Sequence, residues 1–502
     1  MKHVMRPAPA AKVGLFFGIV VILAAMGMAA DLSAQERRPA TSADYPAYRG
    51  DGSGATDSGL ELVRSWADAR RVWSSAEPAP PVGRGPHGDT NAVGGYGVPV
   101  VAGASVYVGY LIPTGPTFEG CLGKTGQPLA DEVVICMDAK TGKTVWRTVF
   151  AGKGWNFCAV YPSDGQITPC VAQGKVLMQG STGWAYCLDA QSGKVHWEKP
   201  TGKTCLAWDG FKAAVLAGTE KPKRMSYPDL KFAQAALAPR PPANPEHGGS
   251  GGGGFNSTPM VFGDLAVFNA VGAETIAFDL ATGQERWRRR GTMSSSASVL
   301  KWTHQGKEYL IGQGLCVDPA TGKDLWTFGP IGGGYQGYTP AISGDLWVGV
   351  GNNGKTARGE NRMFVVCYRF SPQGAKVVWR LEDNTALTYQ SPVIHRGNVY
   401  ASMGNDVCID LETGKLKATA APQDFNDQGC SPFAMDGRVF FHRGRMYDAQ
   451  PETNGVWKCL DTVKPRTLMC TFPTGAAGFL YLRGQGSTSL VECWDLRGKE
   501  IK

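Results

Sequence analysis

Eight aromatic, amide and acidic residues each stand shortly before a short apolar strand in this sequence. They are Tyr96, Asn256, Gln336, Tyr338, Tyr389, Gln390, Asn426 and Asp427. Groups of these types bind a sugar, a peptide or a quinone when they converge on a concave surface. The same side chains could instead satisfy the backbone of their own loops, and the sequence leaves that alternative open. The strands that follow them decide whether they converge.

A small polar residue and a proline open most of those strands. The segments are GVPVV (97–101), ITPCV (167–171), STPMV (257–261), YTPAI (338–342), QSPVI (390–394) and CSPFA (430–434). SSASV (295–299) and FPTGA (472–476) stand in the same place with the pattern altered. Proline is tolerated at the first residue of a strand, where the missing N–H costs little. Each segment therefore reads as the start of an apolar strand.

A β-hairpin recurs after these strands. Clear copies are CMDAKTGKTVW (136–146), CLDAQSGKVHW (187–197), FDLATGQERW (278–287), CVDPATGKDLW (316–326) and CIDLETGKL (408–416). Weaker copies are CYRFSPQGAKVVW (367–379), MYDAQPETNGVW (446–457) and CWDLRGKEIK (493–502). The Asp can hydrogen-bond backbone N–H groups of the turn, and the Gly supplies a positive φ. The Trp on the next strand is first of all a core residue, because burying it removes ~150–250 Å² from water.

The residues that define this repeat fall at equivalent places in the copies. They are Asp138, Gly142, Trp146, Asp189, Gly193, Trp197, Asp279, Gly283, Trp287, Asp318, Gly322, Trp326, Asp410, Gly414 and Asp495, with Trp379 and Trp457 in two of the weaker copies. Most copies follow one another at about 40–50 residues, as expected for a unit of four short strands.

Eight such units can be counted, and no long segment has helical periodicity. A four-stranded sheet cannot bury both of its faces alone, so neighbouring units must pack around a ring. We predict an all-β, eight-bladed β-propeller with four-stranded blades. Its innermost strands would begin at one mouth of a central channel, where the eight residues named first would converge.

The last unit ends at Lys502 directly after its turn, without a fourth strand or a Trp. The segment ARRVWSSAEP (69–78) carries a strand with a Trp and no preceding turn. We predict that Val72–Ala76 pairs with the last unit as its outer strand, because a closed ring leaves no free sheet edge.

The TG-K-x-x-W turn after an x-x-D strand, together with the S/T-P opening, resembles the repeat of the pyrroloquinoline quinone (PQQ)-like β-propeller family. The resemblance spans about residues 44–502. DYPAYRG (44–50) is also similar to the D-x-P-x-x-R-G opening of exported members whose function is unassigned. The family includes quinoprotein dehydrogenases and non-enzymatic periplasmic scaffolds that help assemble outer-membrane proteins. The resemblance therefore implies the fold and leaves the activity open.

Quinoprotein alcohol dehydrogenases of this family carry adjacent disulfide-bonded cysteines beside PQQ, and this sequence has no Cys-Cys pair and no C-x-x-C-H haem motif. No stretch matches the family's Ca²⁺ ligands, so no catalytic or metal-binding residue is assigned. The leading hypothesis is a non-catalytic module that binds a protein, peptide or glycan. The alternative is a PQQ-dependent dehydrogenase that oxidises alcohols or sugars with PQQ and Ca²⁺. A structural component of the cell wall is a third class.

Thirteen cysteines occur in the chain. Cys136, Cys187, Cys316, Cys408 and Cys493 precede the turn Asp by two residues, and such cysteines are typical small buried hydrophobes. Equivalent positions on different blades should lie beyond the ~7 Å limit for a disulfide. Cysteines nearer to loops could pair, and Cys121–Cys158 and Cys430–Cys470 are the candidate disulfides. No cysteine or histidine spacing predicts a metal site.

The first 34 residues have the layout of a signal peptide. Lys2, Arg6 and Lys12 precede the apolar run VGLFFGIVVILAAMGMAA (13–30), and small residues follow. An uncleaved N-terminal anchor is the alternative. We expect a signal peptide over 1–34, a lead-in over 35–68 and the propeller over 69–502, in a protein exported to the periplasm or cell envelope.

Residues 206–256 interrupt the repeat with basic, Pro-rich and Gly-rich runs and one short helical stretch near 230–237. This insertion is either a mobile surface loop or a flap over one face of the ring. The net charge is +8, and the sequence contains no dense basic block beyond RWRRR (286–290), so nucleic-acid binding is not expected. We expect a monomer whose partner is an envelope protein, peptide or glycan, with membrane contact only through an uncleaved N-terminus.

Overall fold

The computed structural model describes most of the propeller and not the N-terminal 43 residues. The described residues are 44–77, 97–116, 118–119, 125–126, 129–155, 167–201, 203–219, 258–270, 274–290, 298–312, 314–329, 339–355, 361–383, 391–403, 405–421, 431–441, 444–451, 455–462, 473–483 and 490–498. The candidate signal peptide and most of the 206–256 insertion lie outside them.

The strands form eight antiparallel sheets, which we number as blades 1–8 and describe from the innermost strand outward. Blade 1 contains Val100–Ala102, Ser105–Thr114, Leu129–Asp138 and Thr144–Trp155. Blade 2 contains Cys170–Ala172, Lys175–Gln179, Trp184–Asp189 and Val195–Pro200. Blade 3 contains Met260–Phe262, Leu265–Ala270, Glu274–Asp279 and Glu285–Arg290. Blade 4 contains Leu300–His304, Lys307–Ile311, Leu315–Val317 and Asp324–Thr327.

The second half of the ring has the same design. Blade 5 contains Ala341–Ser343, Leu346–Lys355, Asn361–Ser371 and Gly374–Asp383. Blade 6 contains Val393–His395, Asn398–Met403, Asn405–Asp410 and Leu416–Ala420. Blade 7 contains Phe433–Met435, Arg438–Phe441, Arg445–Asp448 and Asp461–Thr462. Blade 8 contains Thr474–Ala476, Phe479–Arg483, Val491–Asp495 and, as its outer strand, Arg70–Ser74.

The prediction of eight four-stranded blades closed by an N-terminal strand is confirmed. Arg70–Ser74 pairs antiparallel with Val491–Asp495, two residues earlier than the predicted 72–76. The innermost strand of blade 8 contacts that of blade 1, which closes the ring. Two short strands add to the blades: Ala55–Thr56 pairs parallel with the inner strand of blade 7, and Val456–Trp457 with the outer strand of blade 6. Phe118–Glu119 and Thr125–Gly126 form a separate two-stranded ribbon.

Neighbouring blades are joined through the repeat itself. The indole N–H of Trp146 on blade 1 donates to the carbonyl of Ala190, the residue after the turn Asp189 on blade 2. Trp73, Trp197, Trp287 and Trp379 make the same bond to the next blade, at 2.7–3.1 Å across the set. Each of these rings also lies against the turn Gly of that blade, where a Cβ would come within 2.4–2.8 Å of a ring atom. The D-x-x-x-G turn of one blade therefore binds the Trp of the preceding blade at two points: the residue after the Asp accepts the indole N–H, and the Gly leaves room for the ring.

Two joints between blades depart from this arrangement. In blade 5, Phe370 replaces the turn Asp, and the indole nitrogen of Trp326 on blade 4 has no hydrogen-bond partner in the described chain. Its ring packs on Phe370 instead, with centroids 5.2 Å apart. In blade 6, Ala418 pairs with Cys408 at the place where blades 1–5 and 8 have Trp, and in blade 7 Asp461 pairs with Met446 there. Trp457, which the sequence suggests for the outer strand of blade 7, lies on blade 6, is 2% exposed and donates to Asp448 O.

One α-helix, Lys203–Leu216, follows the outer strand of blade 2 and was not predicted. Trp208, Phe211 and Val215 share one face of it and pack with Leu129 of blade 1. The indole N–H of Trp208 donates to Gly152 O at 2.7 Å, so the helix is fixed to the outer hairpin of blade 1. Tertiary contacts thus stabilise a helix whose sequence has only weak helical periodicity. Within the described ranges, no helix has the length and apolar character to cross a membrane.

Candidate functional site

The two ends of the central channel differ because of the strand order. Short turns join the first strand of each blade to the second, and most third strands to the fourth. We call the end where these turns lie the turn end. The connections from second to third strand, and from each blade to the next, leave from the opposite end, which we call the loop end.

A belt of hydroxyl groups surrounds the channel at the loop end. It consists of the Ser or Thr residues that open the innermost strands: Thr168, Thr258, Ser298, Thr339, Ser391, Ser431 and Thr474, all buried. The backbone N–H of one blade donates to the hydroxyl of the next, as from Thr339 to Ser391 and from Ser391 to Ser431, both at 2.9 Å. The same bond joins blades 1 and 2, 3 and 4, and 4 and 5. Thr474 closes the belt by donating to Pro99 O at 2.8 Å.

An N-terminal segment, residues 44–56, crosses the turn end of the channel, and we call it the strap. Its backbone bonds to the residue three positions after the belt in several blades. Tyr45 pairs with Val101 of blade 1, and the carbonyls of Pro46, Gly52 and Ser53 accept from blades 2, 5 and 6. Ala55–Thr56 then adds to blade 7. The hydroxyl of Tyr48 lies 3.4 Å from Ser391 Oγ in the belt. The strap therefore ties together blades on both sides of the ring.

The eight residues predicted at the channel mouth all lie outside the described residues. They are Tyr96, Asn256, Gln336, Tyr338, Tyr389, Gln390, Asn426 and Asp427. In the chain, Tyr338 and Gln390 directly precede the belt residues Thr339 and Ser391. Their convergence stays a prediction, and the described structure places only the belt that follows them.

A buried carboxylate lies near the loop end between blades 1 and 2. Glu132 is 0% exposed and accepts hydrogen bonds from Ser181 N, Ser181 Oγ and Tyr186 OH at 2.5, 2.8 and 2.6 Å. Burial raises the pKa of Glu132 to about 7, against the opposing effect of these three bonds and of the more distant Lys153. Ser181 belongs to the connection between the second and third strands of blade 2. Glu132 thus fixes a loop-end connection to the neighbouring blade.

A second buried carboxylate occupies the joint between blades 6 and 7. Asp406 is 1% exposed and pairs with the guanidinium of Arg445, with Nε 2.9 Å from Oδ2. The hydroxyls of Ser402 and Tyr447 also donate to it. Unlike Glu132, this carboxylate has a cation in direct contact. Sequence reasoning missed both acids, since neither belongs to the repeat.

The described cysteines are free thiols. Cys136, Cys170, Cys187, Cys316, Cys367, Cys408, Cys459 and Cys493 make no disulfide. Cys187, Cys316 and Cys408 occupy equivalent positions in the repeat. Burial raises the pKa of each of these thiols to about 12, which keeps them protonated and unreactive. The candidate pairs Cys121–Cys158 and Cys430–Cys470 lie outside the described residues.

No group of three or more His, Cys, Asp or Glu side chains that could hold a metal ion occurs in the part of the chain that the structure describes. The carboxylates near the loop end are already occupied by Tyr, Ser and Arg partners. These residues therefore assign no ligand to Ca²⁺ or to PQQ. The arginines of RWRRR are also engaged: Arg286, Arg288 and Arg289 pair with Asp279, Glu274 and Asp324.

Comparison with known proteins gives one family and a set of related folds. The family described as outer membrane protein assembly factor BamB matches residues 130–210. No curated protein matches the sequence. The quinohemoprotein alcohol dehydrogenase from Comamonas testosteroni aligns with a TM-score of 0.51 and 13% identity, over 92% of this chain and 82% of its own.

Two further solved structures align less closely. BamB from Moraxella catarrhalis has a TM-score of 0.36 and 12% identity, over 88% of this chain and 98% of its own. A europium-containing methanol dehydrogenase has a TM-score of 0.43 and 14% identity, over 83% and 90%. The repeated turn and the closed ring of eight blades show a β-propeller fold shared with the quinohemoprotein alcohol dehydrogenase, and the family match over residues 130–210 supports the resemblance to the PQQ-like β-propeller family.

Proposed function

We propose that this propeller is an exported, non-catalytic binding or scaffolding module at the cell envelope, and that its loop end is the binding surface. The observation that carries the proposal is the difference between the two ends of the channel. The turn end consists of repeated tight turns and is crossed by the strap, whereas the loop end gives rise to long connections that follow no repeat. Variable connections held on a rigid ring are where propellers and other scaffolds carry recognition.

The family match supports a protein as the partner. It covers residues 130–210, which include the third and fourth strands of blade 1 and all of blade 2. This region also holds Glu132, the connection at Ser181 and the start of the helix Lys203–Leu216. The partner class is thus an envelope protein first, and a peptide or a glycan second. The signal-like segment 1–34 supports action in the periplasm or cell envelope.

The alternative activity, PQQ-dependent oxidation of alcohols or sugars, has the fold in its favour. A quinohemoprotein alcohol dehydrogenase shares the fold at 13% identity. Fold alone does not transfer an activity, and the described residues supply no ligand set for the cofactor. The two hypotheses differ in a direct measurement, which is saturable PQQ binding in the presence of Ca²⁺ followed by dye reduction with alcohols or sugars.

The test of the proposal is affinity capture from envelope extract by the mature protein. The Tyr389→Ala/Gln390→Ala variant changes the loop end, and a Lys140→Ala/Lys143→Ala variant changes exposed residues of the turn end as a matched control. We expect the control to capture the same proteins as the wild type and the loop-end variant to lose at least one of them. Identical capture by all three proteins contradicts the loop-end proposal, and PQQ binding with turnover replaces it with the dehydrogenase.

A further inference from the structure

Arg49 lies in the middle of the strap, inside the ring, with its charged group entirely buried. Its side chain is 0% exposed. Nε, Nη1 and Nη2 have no hydrogen-bond partner in the described chain. A guanidinium carries five N–H donors and does not lose its charge in a protein. A buried charge without a partner is strongly unfavourable, so this position requires an acceptor that the described residues do not supply.

A second unpaired donor lies in the same segment. The hydroxyl O–H of Tyr45 has no acceptor among the described residues, its oxygen lies near the backbone N–H of Arg49, and the side chain is 0% exposed. Burial raises the pKa of Tyr45 and the positive charge of Arg49 opposes that rise, so the two groups are close enough to interact. The Cζ atom of Arg49 also lies 6.0 Å from the ring centroid of Tyr48. Two donors of different kinds are therefore buried in the same segment, and the described part of the chain offers neither of them an acceptor.

The strap holds the guanidinium in one position. Arg49 has a φ of 73°, and its carbonyl accepts the N–H groups of Gly52 and Gly54 at 2.8 and 3.1 Å. A Cβ on Gly54 would lie 2.5 Å from Cζ of Arg49, so only glycine leaves room for the side chain to fold back there. The nearest acid in sequence, Asp51, does not neutralise Arg49. Its Oδ1 accepts from the backbone and the hydroxyl of Ser53 at 2.9 and 2.6 Å.

We propose that Arg49 and Tyr45 bind an oxyanion inside the ring: a carboxylate, sulfate or phosphate group. The guanidinium fork can pair with such a group through two parallel N–H···O bonds, and the phenol provides a third donor. The group is either a free ion that forms part of the fold or the acidic end of a ligand in the channel. Both sources present the same oxygens to Arg49.

The test measures thermal unfolding in phosphate, sulfate or acetate, with NaCl keeping the ionic strength constant. For the wild type we expect one of these ions to raise Tm by about 1–3 °C for each tenfold increase in concentration above its Kd. Arg49→Met should abolish the rise. Arg64→Met removes the same charge from an exposed position, where the side chain is 63% exposed, and should retain it. A response to acetate alone indicates a carboxylate, and a response to phosphate or sulfate indicates a tetrahedral ion.

Two further measurements cover an unstable variant and a tightly held ion. Tyr45→Phe keeps the ring against Phe433, whose centroid is 5.4 Å away, and should reduce the rise by removing one donor. Native mass spectrometry of the purified protein detects a retained ion as added mass that Tyr45→Phe or Arg49→Met lowers. The proposal is overturned if the wild type shows neither added mass nor a rise, or if all variants respond equally. Either result leaves the proposed binding at the loop end untouched.

Discussion

The turn end and the loop end of this propeller are formed by the same eight blades and are stabilised in different ways. At the turn end, Asp189 accepts hydrogen bonds from Gln191 N, Ser192 N and Ser192 Oγ, and equivalent bonds recur at Asp138 and Asp279. Each of these hydrogen bonds comes from a residue within three positions of the Asp. At the loop end, Glu132 and Asp406 instead accept hydrogen bonds from the neighbouring blade, from residues 39 to 54 positions away along the chain, and Ser402 is the local partner of Asp406.

This difference separates local from long-range stabilisation. A turn whose bonds are all local can be copied from blade to blade, because each copy needs only its own few residues. A buried acid that links two blades depends on both of them and can be unique to one joint. The repeated end is suited to keeping the ring together, and the unrepeated end is free to differ from other propellers.

The largest effect should come from the segment that crosses the turn end. A chain that begins at residue 78 lacks both the strap and the outer strand of blade 8, Arg70–Ser74. We expect it to lose cooperative thermal unfolding or to aggregate. The free energy lost with the strap's hydrogen bonds and with the outer strand of blade 8 should exceed the ~5–15 kcal/mol that stabilises a domain, and the strand edge left exposed favours aggregation. The measurement is circular dichroism during heating.

Two controls separate the parts of that segment. A chain that begins at residue 44 keeps the strap and should melt like the mature protein. A chain that lacks only 44–56 keeps the outer strand of blade 8 and should fold with a lower Tm. If the chain that begins at residue 78 melts at the same temperature as the mature protein, the ring does not depend on its N-terminal closure.

The second effect is a pH dependence that should differ between the two ends. Burial raises the pKa of Glu132 to about 7, so the folded protein holds this proton more tightly than the unfolded chain does. Stability from this group is therefore present at low pH and falls as the pH rises from about 4.5 to 7, by up to about 3 kcal/mol. At the turn end, Lys417 and Thr413 lower the pKa of Asp410 to about 2. The stability that the charged Asp410 contributes is therefore lost only as the pH falls below about 4 towards 2.

Glu132→Gln isolates the loop-end contribution, because the amide keeps an oxygen for Ser181 and has nearly the same shape. The fall in Tm between pH 5 and pH 8 should be smaller in the variant than in the wild type. Burial lowers the pKa of His395 to about 4, so this residue adds stability as the pH rises over part of the same range. The wild type and the variant share this contribution, so it cancels in the comparison. Parallel Tm curves for the two proteins would show that Glu132 does not titrate in this interval.

The sequence contained the blade count, the four-strand unit and the ring closure because all three depend on local, repeated patterns. The S/T-P opening was also visible, but the role of its hydroxyl was not. A belt bond such as Thr339 N–H to Ser391 Oγ joins residues that become neighbours only in the ring. The position of Trp457 could not be predicted from the sequence for the same reason, because its neighbours are brought together only in the folded ring. Its copy of the repeat suggests blade 7, and only the missing Trp at Ala418 indicates that blade 6 needs a ring there.

The strap and the roles of the buried acids could not be predicted from the sequence, because they also depend on contacts between distant parts of the chain. Glycines at 50, 52 and 54 signal an unusual backbone, yet nothing local shows that this segment crosses a channel whose strands lie as far as 419 residues later. Glu132 and Asp406 each stand beside another polar residue, Asp131 and Asn405, so the sequence does not single them out. Hydrophobic periodicity finds the elements of a fold, whereas a unique polar contact needs both partners in place.

The smallest effect tests how the repeated end gains its order. Gly193 and Gly174 both lie in blade 2 with φ of 69° and 70°, so alanine costs each about 1 kcal/mol in backbone strain. At Gly174 an added Cβ meets nothing within 4 Å, whereas at Gly193 it comes 2.4 Å from Cε3 of Trp146. We expect Gly193→Ala to lower the free energy of unfolding by about 1–3 kcal/mol more than Gly174→Ala, because the indole must shift out of the joint. Denaturant unfolding of the two variants measures this difference directly. Equal destabilisation would mean that the turn Gly is required only for its backbone, and that the contact with the Trp of the preceding blade adds nothing to the joint.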